Sequence, residues 1–152
     1  LGSESVNDRN IVLRNIKVGN AQRVLWLKMR PDTPQHYEYV TVDNITGNTG
    51  SFLVIRPWTQ FFKPGDRKDM PLSQCNNISI KNISMNCDNF FDVGTSDKYR
   101  LRDFTFENIT CTDKKMAFDS KLIENTLVKN VNIQERSKSN GLKTTSDTDG
   151  LK

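Results

Sequence analysis

Alternation of apolar and polar residues along the chain predicts short β-strands rather than helices. Five segments share one pattern, in which apolar residues take alternate positions until an Asn followed by Ile or Val interrupts them. Alternation with a period of two indicates strands with one buried face, and no long stretch shows the spacing of an amphipathic helix. The segments are 11–16, 40–45, 78–83, 104–109 and 126–131.

The interrupting asparagines recur at intervals that suit the turns of a repeat. They are separated by 29, 38, 26 and 22 residues. Units of this size, with short strands and polar corners, are typical of the coils of a parallel β-helix. The sequence therefore predicts an all-β fold, a parallel β-helix of about five coils, with the corner asparagines hydrogen-bonded in a ladder. These asparagines are Asn15, Asn44, Asn82, Asn108 and Asn130.

The pattern also predicts how the chain is divided. The coils are expected over residues 1–134, with an inserted loop at about 56–72, where three prolines interrupt regular strand. Residues 135–152 are polar and low in complexity, so we interpret them as a disordered or loosely packed tail. Because the chain is already inside a repeat at Ile11, without room for a cap, we expect a C-terminal fragment of a longer solenoid.

Asparagine is unusually frequent, with 16 in the chain, although it disfavours both helix and strand interiors. Four of these residues stand in Asn-Ile-Ser or Asn-Ile-Thr triplets. Since the triplets follow the repeat, we interpret them as corner and ladder residues. The alternative is that they accept N-linked glycans, because the same triplet marks such sites. The four are Asn44, Asn77, Asn82 and Asn108.

Composition narrows the choice of partner. The formal charge of +4, from 22 basic and 18 acidic residues, favours an anionic partner. Basic runs interleaved with aromatics are absent, and no apolar run approaches the roughly 20 residues of a membrane span, so neither nucleic acid nor a membrane is expected. Cys75, Cys87 and Cys111 form no CxxC pair, and with the single His36 they make a poor zinc site. We interpret them as buried free thiols.

Four stretches carry a resemblance to a known family. They are Leu1-Gly2-Ser3-Glu4 followed by Asn10-Ile11-Val12-Leu13-Arg14-Asn15, then Val24-Leu25-Trp26-Leu27-Lys28, then the segment 37–46. They resemble glycoside hydrolase family 28, the polygalacturonases and related pectin-degrading enzymes, over residues 1–134 and best over 1–60. In that family Ile-Gly-Ser-Glu follows a Gly-His-Gly motif, and an Arg-x-Lys motif that holds the substrate comes later. The resemblance implies a right-handed parallel β-helix, secretion or a periplasmic location, and an acidic polysaccharide as the substrate.

The resemblance also suggests substrate-binding residues. Lys28 falls on the substrate-holding lysine, whereas Trp26 stands where the family has arginine. An indole cannot make the bidentate bond of a guanidinium to a carboxylate, but it can stack on a sugar face. Arg56 and Trp58 end the equivalent strand one coil later, so we expect all four side chains to bind an acidic sugar polymer. The alternative is that Trp26 packs in the core and that the cations are solvated strand ends.

The family's catalytic residues have no counterpart in this chain. Its aspartates, in Asn-Thr-Asp and Asp-Asp motifs, are missing, and its active-site histidine would lie before Leu1. Inverting hydrolysis needs two carboxyl groups about 6.5–9.5 Å apart. Asp88 and Asp92, four positions apart on a strand, would be about 13 Å apart. We assign no catalytic or metal-binding residue here and expect no cofactor, since acid–base hydrolysis requires none.

These observations leave three hypotheses. The first is the C-terminal part of an inverting, galacturonan-cleaving glycoside hydrolase, inactive alone because the catalytic aspartates lie upstream of this chain. The second is a non-catalytic β-helix that binds polysaccharide, of the adhesin or phage-tail type. The third is a degenerate relative in which Trp26 marks lost activity. Aspartate motifs upstream would favour the enzyme, and a trimer in solution would favour the tail module.

Overall fold

The described part of the chain is a stack of five parallel strands, each of which forms most of one coil. The computed structural model describes residues 1, 5–30, 34–58, 69 and 72–136. The strands lie in one sheet in chain order, and a short 3-10 helix at Ser120–Leu122 precedes the last of them. The predicted all-β, parallel β-helical architecture of five coils is therefore confirmed. The strands are β1 (Asn7–Met29), β2 (His36–Pro57), β3 (Ser73–Val93), β4 (Tyr99–Asp113) and β5 (Leu127–Glu135).

Each coil lies on the next in the register that the repeat predicts. Ile11 of β1 pairs with Val40, Val40 pairs with Ile78, and Ile78 pairs with Phe104. The last three of these side chains are at most 1 % exposed. Stacked apolar rows of this kind stabilise the solenoid by removing apolar surface from water, at about 25 cal/mol per Å².

The core is densest in the middle coils. Val42 and Ile80 are fully buried, whereas Ile16 in β1 and Val128 in β5 are about two-fifths exposed, at 39 % and 42 %. This difference arises because β1 and β5 each have a neighbouring strand on one side only within the described residues. All three cysteines lie in this core, so their predicted burial is confirmed.

Every coil turns at two left-handed residues that lie five positions apart. Among the residues that the structure describes, eleven other than glycine have a positive φ angle, and eight of these are asparagines. Asparagine tolerates this region because its short amide can hydrogen-bond locally. The abundance of asparagine therefore follows from the corners. The two aligned columns are Asn10, Tyr39, Asn77, Asp103 and Asn125, and then Asn15, Asn44, Asn82, Asn108 and Asn130.

The second column forms the predicted ladder, which we call the corner ladder (Asn15, Asn44, Asn82, Asn108 and Asn130). Asn44 Nδ2 donates to Asn15 Oδ1 at 2.7 Å, and Asn108 Nδ2 donates to Asn82 Oδ1 at 3.1 Å. The step between them differs from the prediction, because Asn82 Nδ2 donates to Asp43 Oδ1 instead of to Asn44. Asn130 continues the ladder with a bond to Asn108 at 3.1 Å.

The structure places the start of the inserted loop slightly later than the sequence predicts. β2 continues through Arg56 to Pro57, which pairs with Met29, so the first two residues of the predicted loop belong to a strand. Pro57 is tolerated there because the backbone N–H of Trp58, and not of residue 57, donates the hydrogen bond to the Met29 carbonyl at 2.7 Å. The rest of that loop from residue 59, apart from residues 69 and 72, and the tail from residue 137 lie outside the described residues. Within the described part, no helix is long and apolar enough to cross a bilayer.

Candidate carbohydrate-binding site

The four predicted binding residues lie together where β1 and β2 end. Leu25, Leu27 and Met29 point inward and are at most 2 % exposed. Alternation then directs Trp26 and Lys28 to the outer face, where both are half-buried. The alternative that Trp26 packs in the core is therefore wrong.

The two tryptophans and Lys28 form one contact cluster. The ring centroids of Trp26 and Trp58 are 5.0 Å apart, and their planes meet at 81°. The Lys28 ammonium lies 4.1 Å from the centroid of Trp58 and 4.6 Å from that of Trp26. Cation–π contacts of this kind contribute about 0.5–1 kcal/mol each at exposed sites. They hold the ammonium at the surface beside two aromatic rings.

Two residues that sequence reasoning missed complete the site. The guanidinium of Arg23 lies 4.2 Å from the Trp26 centroid. Asp92 of β3 forms an ion pair with Arg56, whose side chain is 58 % exposed. Trp26 aligns with Val54 and Val54 with Asp92. A register shift in β1 between Val18 and Asn20 moves this alignment by one residue, so the asparagine intervals of 29 and 38 residues point to Val93 and miss this carboxylate. We call the group Arg23, Trp26, Lys28, Arg56, Trp58 and Asp92 the aromatic–cationic cluster.

The cluster borders a shallow depression of about 320 Å³. Both tryptophans line it, together with Arg23, Arg56 and Asp92. Arg56 is partly neutralised by Asp92. No carboxylate in the described part of the chain lies within ion-pair distance of Lys28. Arg23, which lines the depression, likewise has no carboxylate partner among the described residues, so Lys28 and Arg23 are the cations of the cluster left to meet an anionic ligand.

A second depression, of about 800 Å³, lies across the outer faces of the coils. Its floor is a row of aligned polar side chains, which we call the polar row: Asn20, Asn48, Asn86, Thr112 and Gln134. Asn86 donates to Asn48 at 2.9 Å, and Thr112 donates to Asn86. These bonds join three of the five residues, and all five align from coil to coil, so we interpret the row as part of the repeat.

The two aspartates considered for catalysis do not form a pair. Asp88 lines the depression over the polar row, where it pairs with Lys114 at 2.7 Å and with Arg136 at 3.4 Å. Asp92 lines the other depression. The hydrogen bond from Lys114 holds the pKa of Asp88 below its usual value, whereas a general acid needs a raised pKa.

No group of three or more His, Cys, Asp or Glu side chains within the described ranges is arranged to hold a metal ion. The fold and the cluster define a β-solenoid with a cationic, aromatic surface where two of its coils end. Comparison of the chain with family models, curated proteins and solved structures finds no match.

Proposed function

We propose that the protein binds an acidic polysaccharide of the galacturonan type at the aromatic–cationic cluster. The observation that carries the proposal is the Lys28 ammonium, which lies against the rings of both Trp26 and Trp58 and has no carboxylate partner among the described residues. Such a polymer presents carboxylates and apolar sugar faces in alternation. The ammonium suits the carboxylates, and the indole rings suit the sugar faces.

The position of Arg56 supports the same ligand. It pairs with Lys28 in the register of β1 and β2, so the two residues stand on adjacent strands, whose backbones are about 4.8 Å apart. A guanidinium can bind a carboxylate with two parallel hydrogen bonds. Arg56 would bind the ligand through the guanidinium N–H groups that its ion pair with Asp92 does not use.

We further propose that this surface is the substrate-binding wall of a glycoside hydrolase similar to family 28. The support is the match of Lys28 to that family's substrate-holding lysine, on a fold of the same type. In this proposal the acid and base of inverting hydrolysis come from another part of the protein. Production of reducing ends from polygalacturonate by the intact protein tests this step. Binding without turnover would support the non-catalytic module instead.

The binding proposal is tested by Lys28→Ala. We expect at least tenfold weaker binding of galacturonate oligomers in titration calorimetry, which corresponds to about 1.4 kcal/mol. In the intact protein we expect activity on pectic oligomers to fall by a similar factor. Lys121→Ala is the matched control, because Lys121 is an exposed lysine of the 3-10 helix, outside the cluster. Equal affinity of Lys28→Ala and the unchanged protein would refute the assignment, as would equal binding of a neutral glucan.

A further inference from the structure

Four asparagines satisfy the triplet rule for N-linked glycans, and the structure separates one of them from the other three. The atom that receives the glycan is the amide nitrogen, Nδ2. In Asn44, Asn82 and Asn108 this nitrogen already donates within the stack, at 2.7, 2.7 and 3.1 Å. Each of these side chains also lies between neighbouring coils, so a sugar there would compete with the corner ladder.

Asn77 belongs to the other column of corners. It is exposed, its φ angle is 55°, and its side chain makes no hydrogen bond to any residue that the structure describes. The neighbours explain why. The corner of the preceding coil holds Tyr39, which offers no amide or carboxylate oxygen, and the carboxylate of Asp103 in the next coil accepts from Asn125 at 3.2 Å instead.

We propose that Asn77 is an N-glycosylation site when the chain passes through a eukaryotic secretory pathway. The glycan donor is a lipid-linked diphospho-oligosaccharide. In the transfer, the bond between the first sugar carbon and the diphosphate oxygen breaks, and a bond from that carbon to Asn77 Nδ2 forms. The amide proton passes to a base of the transferase, and the lipid diphosphate leaves. Ser79 supplies the hydroxyl of the triplet, two positions on along the outer face of β3.

A glycan at Asn77 is compatible with the rest of the molecule. Asn77 is in neither the corner ladder nor the aromatic–cationic cluster, and Ile78, which follows it, is buried and remains in the core. The exposed ring of Tyr39, one coil away, provides an apolar surface beside the first sugar. The inference does not depend on the proposed function and assumes only the secretion that the family resemblance implies.

The test is glycopeptide mass spectrometry on the full chain, produced in yeast behind a supplied secretion signal. Material from the secretory membranes and from the medium is analysed alike, so poor export does not obscure the result. We expect a glycan on Asn77 that Ser79→Ala abolishes. Ser84→Ala, which removes the triplet of Asn82 in the same strand, should leave it unchanged.

Two results would overturn the inference: an unmodified Asn77 in translocated protein, or occupancy of Asn44, Asn82 or Asn108 equal to that of Asn77. Binding of galacturonate oligomers is measured on glycan-free protein from bacteria. An unglycosylated Asn77 therefore leaves the binding proposal unaffected. A failure to bind galacturonate oligomers likewise leaves the glycosylation proposal unaffected.

Discussion

The corner ladder and the aromatic–cationic cluster are both built from polar side chains at the surface, yet they differ in how they use the repeat. The ladder places an asparagine at the same register in all five coils. The cluster uses only the ends of β1 and β2, with one carboxylate from β3. A residue that recurs in each coil serves the fold, whereas an exposed residue that breaks the repeat is a candidate for function.

The two regions also differ in what their contacts provide. Ladder side chains satisfy one another between coils and keep the corners aligned. Cluster side chains leave a cation and two aromatic rings accessible to a ligand. Changes in the ladder should therefore reduce stability, and changes in the cluster should alter binding while the coils remain folded.

Gly47→Ala should cause the largest loss of stability in the stacked coils. Gly47 lies at a φ angle of 121°, and an added Cβ would lie 1.9 Å from the carbonyl oxygen of Val18 in the preceding coil. Since backbone must move to make room, we expect a loss of about 3 kcal/mol or more in the free energy of unfolding. Urea titration followed by circular dichroism measures it.

Gly19→Ala is the matched control for that change. Gly19 lies at the register shift of β1, between Val18 and Asn20, and an added Cβ there would have no neighbour within 4 Å. We expect a change within about 1 kcal/mol. Similar losses for the two variants would show that the close approach of the Val18 carbonyl is not what requires glycine at position 47.

The ladder can be measured with two asparagines of the same coil. Asn82 and Asn77 have φ angles of 54° and 55°, so replacement by alanine imposes the same backbone cost at both. Only Asn82 bonds to adjacent coils, donating to Asp43 and accepting from Asn108. We expect Asn82→Ala to lower the free energy of unfolding by about 1–3 kcal/mol more than Asn77→Ala does. Equal losses in urea titrations of glycan-free protein would mean that the ladder bonds contribute nothing.

Much of the fold could be predicted because its cause is local and repeated. Alternation with a period of two sets the buried face, and one corner in each coil carries an asparagine in every coil. The second corner was not recognised as a column of its own, although Asn77 was interpreted as a corner residue, because Tyr39 and Asp103 occupy it in two coils. Tyr39 and Asp103 take a left-handed backbone conformation at this corner, which the pattern of asparagines along the sequence does not show.

The candidate site could be predicted only in part. Outward alternation placed Trp26 and Lys28 on one face, and Arg56 and Trp58 followed one coil later. Asp92 was missed as a member because its contact spans 36 residues and depends on how two coils of unequal length align. Side-chain partners across coils are set by that alignment, which no single segment of the sequence displays.

Asp92→Asn has the smallest expected effect on stability and affinity, and it tests directly whether Arg56 contacts the ligand. It keeps the shape of the side chain but removes the charge that competes for Arg56. Exposed ion pairs contribute about 0.2–1 kcal/mol, so the stability should change little and the affinity for galacturonate oligomers should rise about twofold to fivefold at low salt. The gain should disappear near 1 M salt, where the screening length is about 3 Å.

Asp97→Asn makes the same change in net charge without touching Arg56, because Asp97 is 80 % exposed and pairs with Lys98. If both variants raise the affinity equally, the gain is a long-range charge effect and Arg56 is not a contact residue. If only Asp92→Asn raises it, Asp92 restrains a cation that the ligand uses. A change that strengthens binding while stability stays constant is the opposite of what the ladder should show. The distinction between repeated and unrepeated positions would then rest on measured free energies of unfolding for the ladder and of ligand binding for the cluster.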